Sequence, residues 1–318
     1  MIKILWSRLA FLLGGWFLAS LLIFFTLRLL PGDVAQIIGG TQASSARIAE
    51  IRTNLGLDRP LLTQYFDWIS AFITGDLGTS LVSRTPVAEQ LLEKAGVTLP
   101  LVLISSIVML VISVPLGIFT AYRAGRPLAD ATATTAYAAA ALPAVWVALL
   151  LILIFSSWLN IFPSQGFPAR GWADPLNAIY SLLLPGITIG LIEAAILFRF
   201  IRSATLSALH SEPLRTGMSF GMTRSTALIR YGLPQVGLSL IGTLGVQLAG
   251  LVVGAVVIEQ IFTLPGVGTM LVSDINSRDL AKVASTLMVI TGFILLLGTV
   301  MDTLAQLLDP RLRERKTR

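Results

Sequence analysis

The sequence predicts an all-α integral membrane protein with six transmembrane helices and a small external helical insertion. Of its 318 residues, 55% are hydrophobic and only 13% are charged, whereas charged residues make up about 25% of an ordinary soluble domain. Several uninterrupted apolar runs also reach the length of about 20 residues that a helix needs to cross a bilayer. Basic residues, finally, collect in alternate connecting segments.

Six apolar runs bounded by charged and turn residues have the length of a membrane span. They extend from Leu9 to Leu30, Leu99 to Tyr122, Ala136 to Leu159, Leu182 to Phe198, Val236 to Ile258 and Val283 to Leu308. The first run could instead be a secretory signal. It is long, however, contains Arg28 and lacks a small-residue cleavage site, so we interpret it as a retained helix.

The charges of the connecting segments predict that both termini are cytoplasmic. In this orientation the inner segments hold a large excess of Lys and Arg, and the outer segments hold more Asp and Glu than Lys and Arg. Cytoplasmic loops of membrane proteins show this basic excess. The high pI of 10.1 therefore follows from the topology and does not argue for nucleic-acid binding.

The chain offers few residues for covalent or metal chemistry. It contains no cysteine, which excludes a disulfide framework, a thiolate metal site and a cysteine nucleophile. Its one histidine, His210, leaves little from which to build a zinc site or a histidine-based triad. We expect no catalytic residue, no bound metal and no cofactor of its own.

Four segments follow from the predicted spans. They are the first transmembrane helix with the N-terminus (1–30), the external insertion (31–98), a five-helix core (99–308) and a basic cytoplasmic tail (309–318). The insertion is too long for a simple connection. Either it receives a molecule from outside or it shields the helix ends.

The insertion is predicted to be helical. Two apolar faces have helical spacing, formed by Ile48, Ile51 and Leu55 and by Leu61, Tyr65, Ile69 and Phe72. Thr85 and Pro86 suit the start of a third helix, which is expected to end near Gly96.

A long cytoplasmic segment, residues 202–233, joins the fourth and fifth spans. Two antiparallel spans can be joined by far fewer residues. Glu212 and Pro213 suit the first turn of a short helix, where a carboxylate meets unpaired N–H groups, and Gly217 and Gly221 let another surface approach the backbone. Because so short a helix is marginal alone in water, the segment is either a docking element for a partner or a packed linker.

Three charged residues lie at membrane depth, where charge is costly and usually faces protein or water. Arg28 is near the outer boundary and is expected to anchor the first helix by reaching outward. Asp302 is expected to take part in helix packing or an internal ion pair. Glu193, in the middle of the fourth span, either lines a pathway or pairs with another helix.

Prolines and glycines within the spans modify the helices. Pro115, Pro143 and Pro185 each remove a backbone hydrogen bond, which neighbours can compensate; they either widen a passage or belong to static packing. Gly250 and Gly254 form a small-xxx-small pair, which predicts a helix packing seam.

An irregular segment containing Pro265 and Gly266 follows Glu259 at the outer end of the fifth span. Irregular backbone at this depth is tolerated only where it is buried or lines a cavity. The residues alone are compatible with a plain re-entrant loop or with a role in closing a passage.

Seven short motifs occur in a specific order along nearly the whole chain. They are LPGD (30–33), LGLDRP (55–60), GDLGTS (75–80), VPLGI (114–118), FRFIRS (198–203), VVIEQIFTLPGVG (256–268) and LDPR (308–311). By these motifs the chain resembles the permease subunits of bacterial ABC importers of the dipeptide, oligopeptide and nickel class, in particular the subunit type with a large external insertion.

The resemblance implies a role for the loop 202–233. In this family the loop forms a coupling helix that docks on an ATPase subunit, with an acidic residue at its start and a glycine at its end, positions that Glu212 and Gly221 match. This implies an ATPase-coupling segment that includes Glu212, Leu214, Arg215, Thr216, Gly217, Gly221 and Met222. The sequence departs from the family pattern at Pro213, where an aromatic residue is common, and at Phe220, where a lysine is common.

The resemblance also implies partners and a gate. The chain has no GxxxxGK[ST] loop, which ATP hydrolysis in this class requires, so nucleotide must be bound by other chains. The expected partners are two ATPase subunits, a second homologous permease and an external substrate-binding protein. Glu259, Pro265 and Gly266 would lie near the external gate, and Glu193 remains a candidate for the pathway.

The predicted function is that of a non-enzymatic permease subunit in the bacterial inner membrane, which imports di- or oligopeptides by alternating access. Nickel or a metal chelate is the alternative cargo. An ion-driven secondary carrier using Glu193 and Asp302 as a relay is a competing hypothesis, and an intramembrane enzyme is disfavoured by the poor inventory of catalytic side chains.

Overall fold

A computed structural model describes residues 2–29, 34–39, 43–54 and 56–308. This part of the chain is helical, without a β-strand, and has one isolated bridge between Thr79 and Pro86. The LPGD motif, Leu55 and the predicted tail 309–318 lie outside the described residues.

The α-helices are named in chain order. They are α1 (Ile2–Leu29), α2 (Val34–Gly39), α3 (Ser45–Asn54), α4 (Leu61–Ile73), α5 (Val87–Tyr122), α6 (Pro127–Ala140), α7 (Ala144–Leu151), α8 (Pro175–Leu209), α9 (Glu212–Ser219), α10 (Arg224–Ala227), α11 (Leu233–Ile261), α12 (Val267–Asn276) and α13 (Leu280–Leu308). Two π-helical segments, Ile152–Trp158 and Leu228–Gly232, continue α7 and α10.

Five of the described helices are long and apolar enough to cross a membrane by themselves. They lie within α1, α5, α8, the Arg224–Ile261 helix and α13. A sixth candidate consists of α6 and the Ala144–Trp158 helix, which meet at a bend of 108°. The bend lies at Pro143, because proline has no N–H to donate and disfavours helical geometry at the preceding residue.

The ends of α5 and α8 show that the bent pair makes one crossing. Leu209 at the end of α8 belongs to the same apolar cluster as Ile118 and Tyr122 at the end of α5, so both helices end on one side of the membrane. Because α8 itself crosses, it must begin on the other side. We therefore interpret the chain between Tyr122 and Pro175 as one crossing, which gives six candidate crossings within the described residues, the number predicted.

The prediction that a third insertion helix ends near Gly96 is wrong. Helix α5 begins at Val87 and runs through Gly96 into the second span. A glycine within a helix costs only about 1 kcal/mol relative to alanine. Leu91, Val97 and Leu101 around it are buried, and their burial outweighs that cost.

The chain forms two compact units. The first comprises residues 1–5, 99–264 and 297–318, and the second comprises residues 6–98 and 265–296. The predicted insertion 31–98 thus groups with most of the first helix and the start of the sixth span. The four-segment division predicted from the sequence stays a prediction.

Helix α8 is the packing centre of the first unit. A Cβ atom placed on Gly186 would lie 2.5 Å from Ile104 Cγ2, and one placed on Gly190 would lie 2.6 Å from Val108 Cβ. Real side chains do not approach so closely, so these glycines allow α5 and α8 to pack almost backbone to backbone. Gly250 and Gly254 of α11 also face α8, but less tightly: a Cβ atom on Gly250 would lie 3.1 Å from Glu193 Oε1, and one on Gly254 would lie 3.6 Å from Ile189 Cγ2, an ordinary contact distance. The glycine seam predicted in the fifth span therefore lies within this chain.

Aromatic contacts join α1 to α4 in the second unit. Phe24 and Tyr65 pack edge to face with ring centroids 5.5 Å apart, and Trp16 and Phe72 do so at 5.6 Å. The hydroxyl groups of Ser20 and Tyr65 also share a buried hydrogen bond of 2.8 Å. Tyr65 and Phe72 belong to the helical face predicted from the sequence.

A buried polar network links α12, α13 and the insertion in the second unit. Lys282 Nζ donates to Asp274 Oδ1 at 2.9 Å and to Gln90 Oε1 at 2.6 Å. Ser80 Oγ donates to Asp279 Oδ2 at 2.5 Å. Burial raises the pKa of Asp274, and the hydrogen bond from Lys282 opposes that shift. The network connects segments about 200 residues apart in sequence.

Replacing Gly190 with alanine is expected to destabilise the first unit. Its methyl group would meet Val108 and the carbonyl oxygen of Ser105, 2.8 Å away, and such overpacking costs about 1–3 kcal/mol. The measurement is the thermal unfolding midpoint in detergent. Gly242→Ala is the matched control, since no atom lies within 4 Å of its Cβ position; an equal loss in both variants would contradict the packing argument.

Removing one charge of the Asp274–Lys282 pair is expected to be much worse than removing both. Asp274→Asn leaves a buried ammonium without its counter-charge, which costs about 3–5 kcal/mol, whereas an apolar replacement of both partners is often neutral. Thermal unfolding of Asp274→Asn, Lys282→Met and the Asp274→Leu/Lys282→Met double variant tests this expectation. Additive losses in the double variant would show that the two residues do not act as a pair.

Candidate functional site

The short helix α9 is held by one buried side chain. Leu214 is only 1% exposed and packs with Leu209, Ala227 and Leu228. Partly buried side chains surround this group, namely Ile118, Tyr122, Met222 and Leu233. We call these eight residues the Leu214 cluster. It joins α9 to the ends of α5 and α8 and to the start of α11, and so stabilises a helix that would be marginal alone.

The other side of α9 is exposed. Phe220, directly after the helix, is 83% exposed, and Met218 is 44% exposed. Glu212 and Arg215 form an ion pair of 3.6 Å with both side chains largely in solvent, so the pair adds little stability. Aromatic residues, methionine and arginine are enriched in protein–protein interfaces, and Phe220, Met218 and Arg215 supply these types on the exposed side of α9.

A tight turn ends α9. The N–H groups of Phe220, Gly221 and Met222 donate to carbonyl oxygens of Thr216, Met218 and Gly217. Gly221 adopts φ +85°, a left-handed conformation that favours glycine. Thr223 then caps α10 by accepting a hydrogen bond from the Thr226 N–H.

The two glycines of this segment have different surroundings. A Cβ atom on Gly217 would lie 2.9 Å from Cε2 of Tyr231, so the close approach expected there is made by a side chain of this chain. The space around Gly221 is open. Of the two, only Gly221 offers free space to a partner.

Glu193 lies in α8 beside α11. Gln247 Nε2 donates to Glu193 Oε2 at 3.1 Å, and the absence of a side chain on Gly250 makes room for the carboxylate. Glu193 thus contacts a neighbouring helix, one of the two interpretations of the sequence. A role in the pathway stays a prediction.

The predicted gate residues occupy two environments. Glu259 is fully buried in the last turns of α11, so the fifth span extends beyond its predicted end at Ile258. Gly266 is the N-cap of α12 and is buried, and Pro265 precedes it. The N–H of Val267 donates to Thr98 Oγ1 at 2.9 Å. Each segment is ordered by its own contacts, and their gate role stays a prediction.

Sequence reasoning missed three groups of residues. Gln247 is a neutral polar residue within an apolar span, and a search confined to charged residues passes over it. Asp274 and Lys282 both precede the predicted start of the sixth span, Val283, and are an opposite-charge pair eight residues apart. The Leu214 cluster was missed as well, because its members are spread over 116 residues of the sequence, from Ile118 to Leu233. Of its eight residues, only Leu214 and Met222 were among the predicted coupling residues.

The chain matches known transport proteins over nearly its whole length. Residues 113–314 match the family described as "Binding-protein-dependent transport system inner membrane component", and residues 1–102 match the N-terminal family of such membrane components. The glutathione transport system permease protein GsiC of Escherichia coli (strain K12) is 30% identical over 307 residues, which cover 96% of this chain and 97% of that protein. A putative peptide transport system permease protein of Brucella abortus (strain 2308) is 31% identical over 313 residues, covering 98% and 99%.

The resemblance noted from the sequence motifs is confirmed by these matches, and so is the all-α membrane fold. The chain belongs to the family of binding-protein-dependent transport system inner membrane components, and is a multi-pass permease component of an ABC transport system.

Proposed function

We propose that this chain is the permease subunit of a peptide importer and that α9 is its coupling helix. The observation that carries the proposal is the division of α9 into an anchored side, held by Leu214, and an exposed side that ends in Phe220. An ATPase subunit would bind the exposed side. The residues predicted for coupling that are exposed are Glu212, Arg215, Thr216 and Gly221.

The Leu214 cluster supports a mechanical connection between α9 and the spans. Its members belong to α5, α8 and α11 as well as to α9, so a displacement of α9 would move the ends of three spans. Closure of the ATPase subunits on ATP would displace α9 and change the side on which the passage opens. ATP can drive such a change only if the ATPase subunits bind ATP with different affinities in the two states of the transporter.

The proposed assembly contains two permeases, two ATPase subunits and an external binding protein. The proposal that the partners hydrolyse ATP is supported by the absence of a phosphate-binding loop in this sequence. We place both termini and α9 in the cytoplasm, because the basic residues favour that orientation. Glu193, Glu259, Pro265 and Gly266 are the proposed pathway and gate residues.

Small peptides are the proposed cargo. One relative is named for glutathione, which is itself a small peptide, and another is named for peptides. Nickel or a metal chelate is the alternative cargo of the same family, and an external binding protein would make most of the selection.

Phe220→Ala is expected to weaken the association of the ATPase subunits about thirtyfold, since an aromatic hot spot contributes about 2 kcal/mol to an interface. Co-purification of the ATPase subunits and ATP hydrolysis stimulated by the binding protein measure the effect. Ser219→Ala, a smaller change at an exposed residue of the same helix, is the control. Unchanged association of Phe220→Ala would contradict docking at α9.

Reconstitution of the complete transporter in proteoliposomes tests the whole proposal. We expect the proteoliposomes to take up small peptides. This uptake should require ATP on the side of the membrane where the ATPase subunits lie, and it should persist when an ionophore dissipates ion gradients. Uptake without the ATPase chains, abolished by the ionophore, would instead support the ion-driven carrier. Uptake of nickel without uptake of peptides would assign the alternative cargo.

A further inference from the structure

A cavity of about 190 Å³ lies beside the last turns of α1, within the second unit. Phe24, Leu27 and Arg28 of α1 line one part of it, and Gln64 and Trp68 of α4 line another. Its volume corresponds to about six water molecules. This is room for part of a ligand, such as a headgroup, rather than for a whole drug-sized molecule.

Arg28 supplies a positive charge at the rim of this cavity. Its guanidinium lies over the Phe24 ring, 5.4 Å from the centroid. Among the described residues no carboxylate lies within ion-pair distance of it. More than a third of the residue is exposed, so an anion entering from the membrane boundary can reach it.

Two buried polar atoms of the lining residues have no hydrogen-bond partner within the described part of the chain, namely Trp68 Nε1 and Gln64 Oε1. Trp68 can only donate through this nitrogen. Gln64 uses its Nε2 to donate to the carbonyl oxygens of Leu57 and Arg59, which leaves Oε1 as an acceptor. Unpaired buried polar atoms are costly. Both atoms are closed to solvent, so a ligand in the cavity would gain from satisfying them once the Trp68 and Gln64 side chains rotate toward it.

The three groups together define the ligand chemistry. A cation and an N–H donor match the oxygen atoms of a phosphate, and an acceptor matches a hydroxyl group on the same molecule. A phosphodiester that carries a glycerol group provides both. Arginine in particular suits phosphate because its N–H groups fit two oxygen atoms at once.

The position of the cavity favours a lipid as the source of this phosphodiester. Arg28 lies in the last turn of a membrane span, where lipid headgroups are found. On the same face of α1, about three helical turns before Arg28, the side chain of Phe17 is exposed, and it offers a surface for an acyl chain.

We propose that this cavity, which we call the Arg28 site, binds the headgroup of an anionic phospholipid of the phosphatidylglycerol type. Arg28 and Trp68 donate to the phosphate, and a glycerol hydroxyl donates to Gln64. The bound lipid connects the end of α1 to α4 of the insertion. The proposal does not depend on the cargo or on the coupling helix.

The test measures lipid retained by the full transporter in nanodiscs made of equal parts phosphatidylglycerol and phosphatidylcholine. We expect the wild type to retain one more phosphatidylglycerol molecule per permease than Arg28→Gln, by native mass spectrometry. Retention should be about tenfold weaker in the variant, as for loss of one hydrogen-bonded charge. Trp68→Phe, which keeps the ring and removes the N–H, should also weaken retention. Deacylated glycerophosphoglycerol should compete only poorly if the acyl chains contribute.

The control is Arg123→Gln. Arg123 also lies at the end of a span and over a phenylalanine four residues earlier, Phe119, at 5.2 Å. It should retain lipid like the wild type. Thermal unfolding verifies that each variant is folded, and Trp68→Phe carries the test if Arg28→Gln is not.

Three results would overturn the assignment. The first is equal retention of phosphatidylglycerol by the wild type, Arg28→Gln and Trp68→Phe. The second is equal retention of phosphatidylcholine, which lacks the hydroxyl donor and the net charge. The third is loss of the second permease from Arg28→Gln without any change in lipid, which would make the Arg28 site a subunit interface.

Discussion

Close contact between helix backbones at α8 is the constraint on which the first unit depends. Lipid tails solvate apolar side chains as favourably as the protein interior does. Membrane helices therefore associate through close packing and polar contacts rather than through hydrophobic burial. Gly186 and Gly190 provide the close packing toward α5, and Gly250 of α11 leaves room for the Glu193 side chain of α8. The Glu193–Gln247 hydrogen bond adds the polar contact at the same seam.

This tightly packed centre would let the proposed coupling helix α9 act over a distance. A loop attached to loosely packed spans would move without consequence for them. In this chain Leu214 inserts among residues from the ends of three spans, two of which are packed together at the glycines. A force on α9 is therefore carried by side chains that have little freedom to yield. The network around Lys282 and Asp279 gives the second unit a comparable internal connection.

The sequence was sufficient to predict the class of fold, the number of crossings and the place of α9, because each depends on local signals. Apolar length predicts spans, and Glu212, Pro213 and Gly221 mark the limits of a short helix. Contacts between distant segments left no such signal. In the sequence Leu214 resembles any other leucine, and only the structure places Leu209 and Leu228 around it. Lys282 likewise resembles an ordinary loop cation, and only the structure places Asp274 and Gln90 beside it. The extent of α5 was mispredicted for a related reason, since Gly96 suggests a helix end and only the burial of its neighbours overrides it.

The bend at Pro143 has a consequence for how the chain enters the membrane during synthesis. The 14 residues of α6 extend only about 21 Å at 1.5 Å per residue, which is less than the hydrocarbon thickness of about 30 Å. The second half of the crossing is similarly short. Neither half alone is long enough to cross the hydrocarbon region, so the two halves have to enter the membrane together to make one crossing.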